Sequence, residues 1–175
     1  MLYHHIGGQE QVIGGVVERL LDGLRAPDPA LPWQEWFRAL LHPVRPTLLR
    51  FPGSARWLLL HAPAFPAITA VFDAGIAALA RDGIARPALA ATTIIDTAMM
   101  AITLHDDRTG LHDGPRDHGA ILDRFIAVRD ASSSAGQLID EVIGPLAHAE
   151  DDVLEQHYRY LLESLMAGIA ARSGA

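Results

Sequence analysis

The sequence contains no cysteine and no lysine. Without cysteine there is neither a disulfide framework nor thiolate chemistry. The positive charge comes from 14 arginines spread along the chain against 21 acidic residues, which gives a formal net charge of −7. An acidic chain repels the phosphate backbone unless its positive charges cluster. We therefore expect this chain alone to bind DNA poorly.

Long hydrophobic runs and enzyme motifs are also lacking. The most apolar stretches, 57–60 and 94–104, are too short to span a bilayer or are interrupted by Asp96. Residues 1–5 do not resemble a secretory signal, because no basic segment precedes an apolar one. The sequence has no GxSxG, HExxH, GxGxxG or phosphate-binding loop. We therefore expect a cytoplasmic protein that is not an enzyme, with no membrane partner, cofactor or assigned metal.

Alanine and helical periodicity dominate what is present. The 175 residues include 28 alanines, half of the residues are hydrophobic, and no segment alternates with period two. This predicts an all-α domain, a bundle of about seven to nine helices. A helix is predicted to open at Pro32, to kink or break near His42 because Pro43 and Pro46 lie in its pattern, and to end at residues 51–53. The other predicted helices cover 9–25, 55–61, 66–82 with a cap at Gly83, 87–105, 118–129, 137–143 and 150–172, with a loop over 106–117 and a serine-rich link over 131–135.

The first ten residues carry the sharpest motif. The run Leu2-Tyr3-His4-His5-Ile6-Gly7-Gly8-Gln9-Glu10 resembles the end of the recognition helix of TetR-family transcriptional regulators and the turn into the fourth helix. Gln9 departs mildly from the family pattern, which has a basic residue there. The following helix resembles the family's connector helix, and stretches 33–38, 50–52 and 151–168 resemble parts of its regulatory core.

The resemblance implies two regions with different functions. Residues 1–8 would be the remnant of a DNA-reading helix, with Tyr3 and His4 on the phosphate side, and 9–175 the ligand-binding and dimerisation domain. A helix-turn-helix would precede this point in a longer product, which makes Met1 an internal methionine of a longer gene. The full-length protein would be a repressor, in which an apolar or amphipathic effector shifts the spacing of two DNA-reading heads through the connector helix.

The resemblance also implies a two-fold homodimer. Its interface would combine the last long helix with either 88–105 or the stretch after the loop in a four-helix arrangement. The last helix has one continuous apolar stripe, which is the candidate interface: Leu154, Tyr158, Leu161, Leu162, Leu165 and Ile169.

Candidate ligand-binding residues come from aromatic, methionine and polar side chains within apolar surroundings. They are Trp57, His61, Phe65, Phe72, Asp96, Met99, Met100 and Thr103. Asp96 lies inside an apolar run, and a buried carboxylate needs a partner. It could anchor a ligand, or it could serve a helix–helix hydrogen bond or a wet dimer edge, and the aromatic residues could simply fill the core.

A cluster of histidines and aspartates spans the predicted loop and the residue on either side of it: His105, Asp106, Asp107, His112, Asp113, Asp117 and His118. Imidazole and carboxylate suit divalent ions, but the spacing fits no compact zinc pattern and aspartate is common in turns. The alternative to a regulator is therefore a stand-alone helical protein that binds a small molecule or a metal and has no DNA-binding activity.

Overall fold

A computed structural model of the chain describes residues 8–61, 66–108, 123–124, 126–129, 132–147 and 151–173. Every regular element within those ranges is helical, which confirms the all-α prediction. The helices are α1 (Gly8–Asp22), α2 (Trp33–Leu49), α3 (Ser54–His61), α4 (Pro66–Arg81), α5 (Pro87–Arg108), α6 (Ser133–Leu138), α7 (Gly144–Ala147) and α8 (Asp151–Ser173), and a π-helical segment, Ile139–Ile143, joins α6 to α7. Tyr3 and His4 lie outside the described residues, as does most of the predicted helix 118–129.

Helix α5 is the centre of the bundle and contacts α2, α3, α4 and α8. Ala91, Ile94, Ala98 and Ile102 on its inner face are fully buried. Small alanines let the neighbouring helices approach closely. By length and composition alone, Pro87–Asp107 is apolar enough to cross a membrane, with a mean hydropathy of 1.4, and 33% of it is buried within the chain.

Helices α2 and α4 meet at a glycine. A Cβ on Gly75 would lie 3.0 Å from the Trp36 ring and 3.2 Å from the Phe37 ring. Both aromatic side chains are fully buried, and their rings pack edge to face with centroids 5.0 Å apart. The absence of a side chain at Gly75 therefore makes room for the largest rings of the core.

The end of α4 is built as the sequence predicted. Gly83 adopts a left-handed conformation with φ of 83°. The Ile84 amide donates to the Leu79 carbonyl (3.0 Å), and the Gly83 amide donates to Ala80 (3.1 Å). This is the Schellman arrangement, which satisfies carbonyls that the helix end would leave free.

Two aspartates accept hydrogen bonds from backbone amides that are distant in the sequence and lie at the start of other helices. Asp82 accepts a hydrogen bond from the Trp33 amide at the start of α2 (2.8 Å). Asp106 accepts one from the Gly53 amide, just before α3 (2.9 Å), and this contact is buried. Because the first amides of a helix have no partner within it, each carboxylate fixes where a helix begins.

Polar contacts join α2 to α8. Arg38 donates two hydrogen bonds of 2.6 Å to the carboxylate of Glu163. These bonds raise the pKa of Arg38 and lower the pKa of Glu163. Deeper in the interface, the Tyr158 hydroxyl donates to the Leu41 carbonyl, and burial raises the pKa of that hydroxyl. The two helices are thus aligned by directional contacts as well as by apolar packing.

The structure corrects predictions for α2 and for the region around α6. Helix α2 is continuous through Pro43 and Pro46 to Leu49, so it has no break near His42. Helix α6 begins inside the predicted serine-rich link, because the Ser132 hydroxyl accepts a hydrogen bond from the Ala135 amide and caps the helix. The helical path then continues beyond Gly144, where the amide bonds to the Ile139 carbonyl five residues back.

The predicted dimer stripe on α8 packs largely against the chain's own core. Leu154, Tyr158 and Leu162 are at most 5% exposed because they pack into the chain's own core. Leu165 and Ile169 are half-buried against the same core, and Leu161 is half-buried. The fully covered members of the stripe therefore lie on the core-facing side of α8.

Candidate ligand-binding cavity

A cavity of about 920 Å³ lies between the first five helices. Ligand pockets commonly measure roughly 300–1,000 Å³, so this one is large enough for a drug-sized molecule. Its lining is dominated by leucine, isoleucine and valine: Leu20, Leu21, Gly23, Leu24, Arg25, Leu40, Leu41, Pro43, Val44, Thr47, Leu48, Leu58, Leu59, Ile68, Thr69, Val71, Phe72, Thr92, Ile95, Asp96 and Met99.

The cavity exists because several helices turn apolar side chains towards a space that none of them fills. Helix α2 contributes Val44 and Thr47, which lie beside its core-facing residues. Helix α5 contributes Ile95 and Met99, which lie on one side of its fully buried face. The end of α1 closes one side with Leu20 and the segment that follows it.

Asp96 is the acidic group among the described lining residues. No described residue forms a hydrogen bond or an ion pair with its half-buried carboxylate. Partial removal from water raises its pKa, because desolvation disfavours the charged form. Asp96 therefore offers open acceptor positions to whatever enters the cavity.

The other described polar groups of the lining are mostly engaged with the backbone. The hydroxyls of Thr47 and Thr92 donate to the carbonyls of Pro43 and Ala88 (3.2 and 3.0 Å), which leaves their oxygens as acceptors. Arg25 is exposed, and its guanidinium donates to the carbonyls of Asp22 and Leu24 at the end of α1. Thr69 also lines the space.

Phe72, Asp96 and Met99 are the predicted ligand-binding residues that line the cavity. Met100 is 48% exposed on the outer side of α5, and the Thr103 hydroxyl donates to the Met99 carbonyl (2.9 Å). Neither is among the lining residues, and Phe65 lies outside the described residues.

Trp57 and His61 form a separate stack on α3. Their rings are 4.7 Å apart at an angle of 29°, and His61 Nδ1 lies 3.0 Å from the Trp57 carbonyl. The Trp57 indole packs against α1, where a Cβ on Gly14 would lie 3.2 Å from the ring. The predicted aromatic cluster is therefore divided, with Trp57 supporting α1 while Phe72 lines the cavity.

The lining residues of α1 and α2 are not among the predicted ligand-binding residues. Leu20 and Leu24 belong to the repeating apolar pattern of the first helix, and Val44 belongs to that of the second. The wide apolar face of α2 is the sequence feature that indicates such a role. An apolar face that is wider than a single neighbouring helix can cover can also line a cavity.

The predicted histidine and aspartate loop is helical where the structure describes it. His105 and Asp106 are buried within α5, and Asp106 accepts a hydrogen bond from the Gly53 amide. His112, Asp113, Asp117 and His118 lie outside the described residues. Over the ranges that the structure covers, no three histidine or acidic side chains are grouped as metal ligands.

Comparison with known proteins adds no relative to this geometry. No protein-family model, curated protein or solved structure matches the chain. The cavity and the contacts around it are therefore the features that a function has to account for.

Proposed function

We propose that this chain binds a small amphipathic molecule in the cavity and is the effector-binding and dimerisation core of a TetR-type transcriptional regulator. The observation that carries the proposal is the position of the cavity, which is lined on one side by Leu20 near the end of α1 and by Leu24 just after that helix. Helix α1 begins at Gly8, within residues 2–10, the stretch that resembles the end of a recognition helix and the turn after it.

The contacts of α1 suit a helix that transmits a shift. Val17 and Leu21 anchor it in the core, and Gly14 seats it on Trp57. A ligand that touches Leu20 interacts with the same helix near its C-terminal end, and contact with Leu24 adds the segment that follows it. A ligand changes a conformational equilibrium only by binding one state more tightly, and contact with α1 would provide that difference.

The outer face of α5 supports the dimerisation part of the proposal. Leu89, Met100 and Leu104 are 53%, 48% and 47% exposed. Spacings of 11 and four residues place these three large apolar side chains on one side of the helix. We place the contact between two copies on this face, which the chain itself leaves uncovered.

Ligand binding is tested by filling the cavity from a single position. Thr92 lines the cavity and Thr93 does not, yet both are exposed and both hydroxyls donate to a carbonyl four residues back. We expect Thr92→Trp to weaken binding of the apolar dye N-phenyl-1-naphthylamine by at least about tenfold, a cost of about 1.4 kcal/mol. The control Thr93→Trp should bind the dye as the unmodified chain does.

Fluorescence titration of the three proteins measures this difference, and circular dichroism checks that each remains folded. If the unmodified chain shows no saturable dye binding, the cavity does not serve as a ligand site. Equal losses in both variants would place the dye elsewhere on the molecule.

The regulatory part is tested on the longest product that the gene encodes in frame with Met1. A mobility-shift assay with DNA from upstream of the gene should show a complex that a cavity ligand dissociates. If that product binds cavity ligands and no DNA, the stand-alone binding protein replaces the regulator.

A further inference from the structure

The polar groups of the cavity consist mainly of acceptors. Asp96 presents a carboxylate with no partner among the described residues. The hydroxyl hydrogens of Thr47 and Thr92 are already donated to helix carbonyls, so their oxygens can only accept. A ligand that complements these groups must bring hydrogen-bond donors.

Thr92 and Asp96 lie close enough to act on one ligand group. They are four residues apart on α5, and both line the cavity. Residues with this spacing are neighbours on a helix surface, with Cβ atoms roughly 5–6 Å apart. An ammonium group carries three donors and a positive charge, so it can bond to the carboxylate and to the hydroxyl oxygen together.

Charge favours the same type of ligand. A carboxylate partly removed from water is stabilised by a cation at short range, and a charge-assisted hydrogen bond is stronger than a neutral one. Arg25, the cation of the described lining, is exposed and already bonded to two carbonyls of its own segment. Water and salt screen such an exposed charge. The net charge of −7 also attracts cations to the molecule.

We infer that the cavity binds a lipophilic organic cation, whose apolar body fills the space between α2, α4 and α5 and whose protonated amine pairs with Asp96 and Thr92. This inference rests on the proposed function, because it specifies the ligand class of the same cavity. It excludes fatty acids and other amphiphilic anions as the preferred ligands, since they would bring a second negative charge to Asp96.

Three probes with the same ring system separate charge from shape: 9-(aminomethyl)anthracene, 9-anthracenemethanol and 9-anthracenecarboxylate. At pH 7 these are a cation, a neutral alcohol and an anion. Fluorescence anisotropy with the full chain at about 0.1 M salt gives their affinities. We expect the amine to bind at least about tenfold more tightly than the alcohol, because a charged hydrogen bond adds about this much. The carboxylate should bind most weakly.

The variant Asp96→Asn keeps the shape of the side chain and removes its charge. We expect it to lower the affinity for the amine at least about tenfold and to change the affinity for the alcohol by less than about threefold. The control Asp107→Asn removes one charge from the same helix outside the described lining and should leave all three affinities unchanged. Circular dichroism verifies that both variants are folded.

The possible outcomes separate the inference from the proposed function. If the alcohol binds saturably and the amine binds no better, the cation inference is overturned and the proposed function stands. Equal losses for amine and alcohol in Asp96→Asn overturn the pairing with Asp96. If none of the three probes binds, both proposals are overturned.

Discussion

Asp106 illustrates what a residue can do that its place in the sequence does not reveal. Its neighbours in the sequence suggest a loop residue or a metal ligand. In the structure it lies within α5 and accepts a hydrogen bond from the Gly53 amide. Its partner is 53 residues away along the chain. Local spacing describes neighbours within a few residues, so a long-range cap of this kind requires the tertiary arrangement.

At Gly75 the missing side chain is a packing requirement. A methyl group there would meet the rings of Trp36 and Phe37 at 3.0–3.3 Å, and both rings are enclosed by the core. We expect Gly75→Ala to lower the free energy of unfolding by about 1–3 kcal/mol, as overpacking of a core does. Urea denaturation followed by circular dichroism measures it.

Gly168 provides the control for Gly75. It also lies within a helix, but a Cβ there would meet nothing within 4 Å. Because alanine is the better helix former, Gly168→Ala should stabilise the protein by about 0.5–1 kcal/mol. If both substitutions shift stability in the same direction, the contact at Gly75 does not determine the packing of α2 on α4.

His42 gives the stability of the protein a defined dependence on pH. Burial and, secondarily, Arg159 lower its pKa, although Glu155 and Glu163 oppose this and Arg38 adds to it. Its Nε2 is buried without a hydrogen-bond partner in the described part of the chain. Between the lowered pKa and about 6.5, the value near which an unfolded histidine titrates, the unfolded chain binds more protons. Stability contributed by neutral His42 is thus present above pH 6.5 and is lost as the pH falls.

Urea midpoints at pH 5, 6, 7 and 8 measure this dependence. We expect His42→Gln to flatten the decrease between pH 7 and 5 relative to the unmodified chain. The control His61→Gln replaces an exposed histidine and should retain the full decrease. An unchanged slope in His42→Gln would assign the pH dependence to other groups.

Among the elements, the order and approximate bounds of the helices through α5 followed from the sequence, and so did α8. Apolar periodicity and the glycine cap after α4 were sufficient for this. Helix α2 does not break at its two prolines, because a buried face that includes Trp36 and Leu40 outweighs the loss of two amide donors. The serines before α6 misled because one of them caps the helix.

The stripe on α8 shows the limit of periodicity at this scale. Apolar side chains at helical spacing indicate that a face is covered, without indicating by what. Tyr158 and Leu162 are covered by the chain's own core. On α5, the predicted ligand-binding residue Met100 lies on the outer face.

The outer face of α5 makes the dimer testable. We expect Met100→Glu together with Leu104→Glu to convert a dimer into a monomer at micromolar concentration. Each substitution would bury a carboxylate in the interface between the two copies. Leu60→Glu is the control, since Leu60 is 66% exposed on α3 instead. Sedimentation velocity distinguishes the species. A monomeric unmodified chain would contradict the dimer, and a dimer that persists in the double variant would contradict this face.

At the scale of the whole molecule, the cavity was the least predictable feature. Phe72, Asp96 and Met99 were identified because their residue types are unusual in their surroundings. The remaining lining consists largely of ordinary aliphatic residues from several helices, and nothing distinguishes a leucine beside a cavity from one in the core. A cavity is a space that packing leaves open, so it follows only from the relative positions of the helices.

The contact of Trp57 with Gly14 supplies the protein with its own optical reporter. Trp33 and Trp36 are buried in the core at 3% and 0% exposure, whereas Trp57 is half-buried, stacked on His61 and pressed against α1. Any displacement of α1 changes the polarity around this indole while the other two remain enclosed. The emission wavelength of the native protein, with Trp57→Phe as the blank, therefore records the position of α1 without an attached label.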